Sequence, residues 1–263
     1  MRHRPNEVAR AVDANLLETR ADSNQRFGTS DFNGWVRGLL APLQFSSVLD
    51  LCCGTGNQLL LYAARPAVER IVGLDVSRDA LKIAKSRMRE AGAWQSTTLL
   101  SMPMETAFAG APLRDSRFDL ISCFYGLYYA DDARRVLKGM IGHLNLPGNL
   151  LVVGPYGRNN ASLFNLLESH FALPQRVVFN ATTFMEEEVL PPVTRDLDMR
   201  IETFVNEVRF PSAEALLRYW RATIFYDSRH EGAVERDVKA HFRRHDEFVV
   251  EKHVMAAIGR NIH

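Results

Sequence analysis

The apolar run Val48-Leu49-Asp50-Leu51 leads into a small-residue turn, Cys52-Cys53-Gly54-Thr55-Gly56, and a second run, Arg70-Ile71-Val72-Gly73-Leu74, ends in Asp75. The two carboxylates lie 25 residues apart at the ends of consecutive runs, with a glycine turn after the first. Gly54 and Gly56 allow a ligand to approach the backbone and the N-terminus of the following helix, whose free N–H groups favour a carboxylate or phosphate. Asp75 is placed to accept hydrogen bonds from both hydroxyls of a ribose. Either aspartate alone would be a turn or cap residue; the pair in register points to a site for an adenosine-containing ligand.

The loop narrows the choice of ligand. A dinucleotide fingerprint needs a third small residue, whereas Gly54-Thr55-Gly56-Asn57-Gln58-Leu59 has Leu59 in that region, which disfavours NAD. No Lys-Ser/Thr pair follows the glycines, so triphosphate hydrolysis has no support. Cys52, Cys53 and Cys123 form neither a disulfide framework nor the paired spacing of a zinc site, and no metal is expected. None of the eight histidines ends a predicted strand. His170 is the one candidate base among them, and His143 is expected to be structural or exposed. Arg26, beside Phe27-Gly28, is expected to be a solvated helix arginine, with a cofactor carboxylate as its alternative partner.

These residues must be positioned by alternating strands and helices. After the 48–51 and 70–75 strands, the pattern predicts a helix from Ser77 to Ala91 and strands at Thr97 to Leu100 and Phe118 to Phe124. A helix at Asp132 to Leu144 and a Pro147-Gly148 turn into Leu150 to Val153 follow. Such alternation implies a doubly wound α/β fold, a parallel sheet with helices on both faces. One domain is expected. Residues 1–40 form a helical lid over the ligand-binding edge, 45–155 the cofactor-binding core and 156–199 an irregular cap insertion. Residues 200–263 supply the C-terminal strands and helices, whose late strands can lie antiparallel at the sheet edge.

Composition fits that architecture. The chain has 263 residues, 46% of them apolar, and 32 basic against 31 acidic side chains. This near-neutral balance argues against affinity built on phosphate neutralisation, so no nucleic-acid partner is expected. No apolar run approaches the roughly 20 residues of a membrane span, and residues 1–10 are polar and charged; a cytoplasmic location is expected.

The segment Val48 to Gly56 resembles the first motif of class I S-adenosylmethionine-dependent methyltransferases, and the resemblance continues down the chain. Ile71 to Ser77 looks like the ribose-binding strand end, Phe118-Asp119-Leu120-Ile121 like the fourth strand, and Val136-Leu137 through Leu150 like the fifth helix, its loop and its strand. The resemblance implies a Rossmann-like seven-stranded sheet, with S-adenosylmethionine as cofactor and S-adenosylhomocysteine as product. Asp50 would meet the methionine amino group, Gly54 and Gly56 would lie against the methionine moiety, and Asp75 would hold the ribose. Cys52 stands where the family has its first glycine, which restricts the backbone. Met102 and Pro103 stand where relatives place an acid and a small residue beside the adenine. Recognition there would rest on packing by Val76, Met102 and Met104, or on a shifted register using Glu105. Phe124 completes the implied cofactor set.

Phe124-Tyr125-Gly126-Leu127-Tyr128-Tyr129 looks most like the Phe-Gly-Leu stretch of ubiquinone/menaquinone C-methyltransferases, although the two residues after Leu127 depart from it. Tyr125, Tyr128 and Tyr129 follow the fourth strand, beside the expected methyl position, and are the candidates to orient an acceptor; Tyr156 and Asn159 are weaker ones. The resemblance implies methyl transfer to an oxygen or nitrogen of a small molecule. C-methylation of a quinone-like intermediate and an inactive cofactor-binding accessory protein are the alternatives.

Overall fold

The structure is a computed structural model and describes residues 5–262. Three helices, α1 (Pro5–Val12), α2 (Ala14–Arg26) and α3 (Phe32–Leu40), precede the first strand, β1 (Ser47–Leu51). Then come α4 (Asn57–Ala63), β2 (Arg70–Asp75), α5 (Arg78–Glu90), β3 (Thr97–Ser101), β4 (Phe118–Phe124), α6 (Ala133–Gly142) and β5 (Leu144–Pro155). The remainder comprises α7 (Ala161–Glu168), α8 (Gln175–Thr182), α9 (Leu190–Asp196), β6 (Asp198–Phe210), α10 (Ala213–Ala222), α11 (Glu231–Phe242) and β7 (Phe248–Asn261).

The strands form a seven-stranded sheet in the order β3-β2-β1-β4-β5-β7-β6. Strands β1 to β5 are mutually parallel, and β7 runs antiparallel between β5 and β6, which is the doubly wound sheet with antiparallel late strands that the alternation predicts. Val48, Leu49 and Leu51 are wholly buried, as a strand covered by helices on both faces requires. On one face Val36, Leu39, Leu59 and Ala84 from α3, α4 and α5 cover Val48, Ile71 and Leu120. On the other, α6 and α9 cover Leu49, Val72 and Ile121. A third apolar cluster joins α7, α8, α10 and α11 to Val208 and Phe210 of β6 and Val250 of β7.

The winding direction reverses at β1, which pairs with β2 on one side and β4 on the other. The carboxyl ends of those strands flank the crevice in which such sheets bind ligands. Ser77, the expected cap of α5, accepts a hydrogen bond from the Ala80 N–H.

Residues 156–199 differ from the expected irregular cap, because α7, α8, a π-helical turn at Met185–Val189 and α9 occupy most of them. The prolines of this segment, residues that disfavour a helix interior, begin helices here: Pro174 is the N-cap of α8, and Pro191 and Pro192 lie in the first turn of α9, where a missing N–H costs little. Glu188, in the run Glu186-Glu187-Glu188, is paired with Arg134 of α6 at 2.7 Å. No helix among the described residues is long and apolar enough to cross a membrane.

Candidate active site

Three left-handed residues shape the loop after β1: Cys52 at φ +61°, Gly54 at +53° and Gly56 at +85°. The two glycines do different work. A Cβ on Gly54 would meet nothing within 4 Å, so this face is open to a ligand. On Gly56 it would stand 3.0 Å from Ala84 Cβ, so this glycine lets α5 pack close. Leu59 has its own accommodation, because a Cβ on Gly73 would lie 3.0 Å from Leu59 Cδ1. Cys52 pays the usual steric penalty of an L-residue in this conformation, about 1–2 kcal/mol.

The aspartates are held from opposite sides. Asp75 is 9% exposed; its Oδ2 accepts from the Gly54 N–H and its Oδ1 from the Ser77 N–H, both at 2.8 Å. Burial pushes its carboxyl above the ordinary range, opposed by these N–H groups. Asp50 is 1% exposed, and its Oδ1 accepts from Ser122 Oγ at 2.7 Å, which in turn accepts from the Tyr62 hydroxyl at 2.9 Å. Burial raises the Asp50 carboxyl to about 7; the Ser122 hydrogen bond opposes the rise and the Asp75 charge adds to it. Asp50 Oδ2 has no hydrogen-bond partner among the described residues.

At the expected adenine edge Val76 is 49% exposed, Met102 is partly buried and Pro103 is exposed. Met104 lies against Cys52, with their sulfurs 4.0 Å apart. Glu105 accepts from the Asp131 N–H at 3.3 Å. Phe124 is buried in the cluster beneath α3 and α4.

Beyond β4 the chain turns sharply at Tyr125, φ +52°, whose N–H donates to Val153 O at 2.8 Å. Tyr125 is 37% exposed and lies 6.0 Å from the Phe32 ring. Tyr128 and Tyr129 follow in a 3-10 turn with ring centroids 4.7 Å apart. Burial raises all three phenols, Tyr129 to about 12, while the Arg20 guanidinium opposes the rise at Tyr128 and Tyr129. At neutral pH they are hydrogen-bond donors and not bases.

Helix α2 meets this edge through a residue that no local motif reveals. Glu18 accepts from Thr55 Oγ1 at 2.6 Å and from Arg87 Nη2 at 2.7 Å, joining α2, the glycine loop and α5. The segment after α2 is fastened to β6 by a bridge between Gly28 and Val208. Buried Asn206 accepts there from the N–H groups of Thr29 (2.9 Å) and Ser30 (3.0 Å) and donates to Asn24 O at 3.2 Å.

Other expected residues lie elsewhere. Arg26 is exposed and lies over the Phe27 ring, as a solvated arginine should. His170 pairs with Asp237 of α11 at 3.1 Å. His143 caps α6 and reaches Gly139 O and Arg114 O, a structural role. Tyr156 packs against His253, and Asn159 is buried just beyond β5. Among the described residues no group of three or more His, Cys, Asp or Glu could hold a metal. A surface concavity of about 680 Å³ at the α11–β7 turn, lined by His241, Arg244 and His245 among others, shares no residue with this edge.

Residues 48–148 match a family described as a methyltransferase domain. The chain is 27% identical over 154 residues to a demethylmenaquinone methyltransferase of Listeria welshimeri, an alignment covering 57% of this chain and 63% of that protein. Among solved structures, the YcgJ protein of Bacillus subtilis superposes with TM-score 0.61 at 15% identity, covering 88% of this chain and 98% of that one. The N-methyltransferase NodS of Bradyrhizobium japonicum gives 0.51 at 17% identity, covering 88% and 94%. Residues 48–148 thus match the methyltransferase-domain family, on a doubly wound seven-stranded sheet shared with these solved structures, in line with the resemblance to class I S-adenosylmethionine-dependent methyltransferases.

Proposed function

We propose that the protein transfers the methyl group of S-adenosylmethionine to an oxygen or nitrogen of a small molecule held between the Tyr125–Tyr129 turn and the N-terminal lid. The observation that carries this reading is Gly54's open face beside the Asp75 carboxylate, which the backbone N–H groups of Gly54, Val76 and Ser77 hold at the carboxyl end of β2. A carboxylate offers about four acceptor sites, so one stays open to a ribose hydroxyl. Val76 and Met102 offer apolar surface for an adenine, Cys52 and Gly54 border the methionine end, and Asp50 lies beneath that end.

Bound there, the cofactor supplies an activated methyl on an excellent leaving group. The protein's contribution is then alignment and exclusion of water, and alignment alone is worth about 7–11 kcal/mol. The phenols of Tyr125, Tyr128 and Tyr129 donate hydrogen bonds that orient the acceptor, and α1 and α2 close over it. C-methylation of a quinone-like acceptor is the second reading, favoured by the Listeria relative.

Calorimetric titration with S-adenosylmethionine, S-adenosylhomocysteine and NAD tests the reading. Both adenosyl compounds should bind and NAD should not, and Asp75→Ala should weaken them at least tenfold while circular dichroism shows the fold retained. A folded protein that binds neither adenosyl compound overturns it. Binding without turnover of any amine, hydroxyl or quinone acceptor would favour the accessory-protein alternative.

A further inference from the structure

The strands at the far side of the crevice carry a cation that the cofactor site does not use. Lys252 of β7 pairs with Asn206 of β6, and Val254 pairs with Phe204. Lys252 and Phe204 are therefore diagonal neighbours on one face of the sheet. That position lies past the carboxyl end of β5, because Val254 already pairs with Pro155, the last residue of that strand. The Lys252 ammonium donates to Asn160 Oδ1 and to the Tyr219 hydroxyl. Both partners are neutral and buried. No carboxylate pairs with Lys252 among the described residues, although the side chain is partly buried. An ammonium has three donors, so one remains for a ligand, and its charge lacks a counter-ion.

Aromatic rings stand beside it. Phe204 is stacked on Trp35 with centroids 5.2 Å apart, and Phe32 lies 5.7 Å from Phe204 and 6.0 Å from Tyr125. The rings from Phe204 through Phe32 to Tyr125 run from the lysine's neighbour on the sheet to the turn where the acceptor is proposed to sit. Phe32, Trp35, Phe204 and Tyr125 are all partly exposed, leaving ring surface for a flat ligand.

We propose that the methyl acceptor is a planar aromatic acid, its carboxylate anchored by Lys252 and its ring packed against Phe204, Phe32 and Tyr125. This rests on the methyltransferase reading above. Asn160 and Tyr219 hold the ammonium in place, and the aromatic wall directs the rest of the acceptor towards the tyrosine turn. Lys252 and Phe204 are binding residues, with no part in proton transfer.

Benzoate and its neutral isostere benzamide are the probes, titrated by calorimetry into the full chain with and without saturating S-adenosylhomocysteine. Benzoate should bind at least tenfold more tightly than benzamide. Lys252→Met should bring benzoate down to the benzamide level while leaving S-adenosylhomocysteine affinity within twofold, and Lys252→Arg, which keeps the charge, should retain the preference. Phe204→Leu should weaken both probes alike. Equal binding of benzoate and benzamide by the parent protein overturns the proposal, even if Lys252→Met fails to fold. A preference that survives in folded Lys252→Met overturns it too. Failure to bind S-adenosylhomocysteine is a separate result, directed at the cofactor reading, because the acid preference is also measured without it.

Discussion

Replacing Gly126 by alanine tests whether Cys52 and the tyrosine turn form one packing unit. Gly126 has φ −119°, which any residue adopts, so the penalty is steric. The new Cβ would stand 2.4 Å from Cys52 Cβ and 2.6 Å from its Sγ. Neither atom has room to retreat: Cys52 is fixed at φ +61°, with its sulfur against Met104 and within hydrogen-bond reach of Cys123. Overpacking of this kind costs about 1–3 kcal/mol. We expect about 2–3 kcal/mol here because both contacts are closer than real Cβ atoms allow, which for a chain of this size lowers Tm by about 5–10 °C. In a Cys52→Gly background the nearest remaining atom is Cys123 Sγ at 3.2 Å, so the same substitution should cost below about 1 kcal/mol. Cys52→Gly alone should be close to neutral. It relieves about 1–2 kcal/mol of left-handed strain but gives up thiol burial and adds chain entropy of similar size. The double-mutant cycle, read by urea and thermal unfolding, should show a coupling of about 2 kcal/mol. Additive effects would refute the packing argument.

Three further outcomes follow from the site. Asp50 titrates at about 7 in the folded protein against an ordinary 3.8, so the folded state holds its proton more tightly. Its contribution to stability is therefore full below about pH 4 and is lost as pH rises to about 7, by about 4 kcal/mol at 1.4 per unit. Asp50→Asn should remove that slope from Tm against pH, and an unchanged slope would show that Asp50 is not its source. Glu18→Gln keeps an oxygen for Thr55 but loses the charge opposite Arg87. With the Glu18 side chain 37% exposed, about 0.5–1 kcal/mol is at stake, so S-adenosylhomocysteine should dissociate about 2–5-fold faster in stopped flow. Asn206→Ala should raise hydrogen exchange at residues 24–31, with a stability loss of about 2 kcal/mol from the unpaired N–H groups; unchanged protection there would mean that the lid is held by other contacts.

The core of the fold was legible because it is written in local periodicity. Strands β1, β2 and β4, with their wholly buried apolar residues, and the Ser77 cap are short-range signals. The crevice followed from where Asp50 and Asp75 end their strands. Residues 156–199 are helical where the sequence suggests irregularity, because Pro174, Pro191 and Pro192, which can break a helix, all occupy helix starts. The lid fastenings left no trace in any window. Glu18 meets Arg87 across 69 positions and Asn206 meets Thr29 across 177, and the spacing of either residue gives no reason to single it out. Lys252 was hidden for the same reason, since only the β6–β7 register and the α10 packing bring it to Phe204 and Tyr219. Gly126 was visible as a glycine, but its purpose appears only once the left-handed Cys52 is seen beside it.

Proton balance explains why so much of the lid is fastened down. An effective catalytic base needs a pKa near the working pH. Burial takes the tyrosine phenols the other way, with Tyr129 at about 12. Asp75 accepts from the Gly54 and Ser77 N–H groups, and Asp50, though raised to about 7, is 1% exposed and bonded to Ser122 within the sheet, out of reach of an acceptor. Glu18 is committed to Thr55 and Arg87. These groups hold backbone and α2 in place, so in the proposed methyl transfer the rate would come from geometry. Alignment is as good as the rigidity of the elements that impose it. In this chain that rigidity comes from the Glu18 and Asn206 fastenings and from the fit of Gly126 against Cys52.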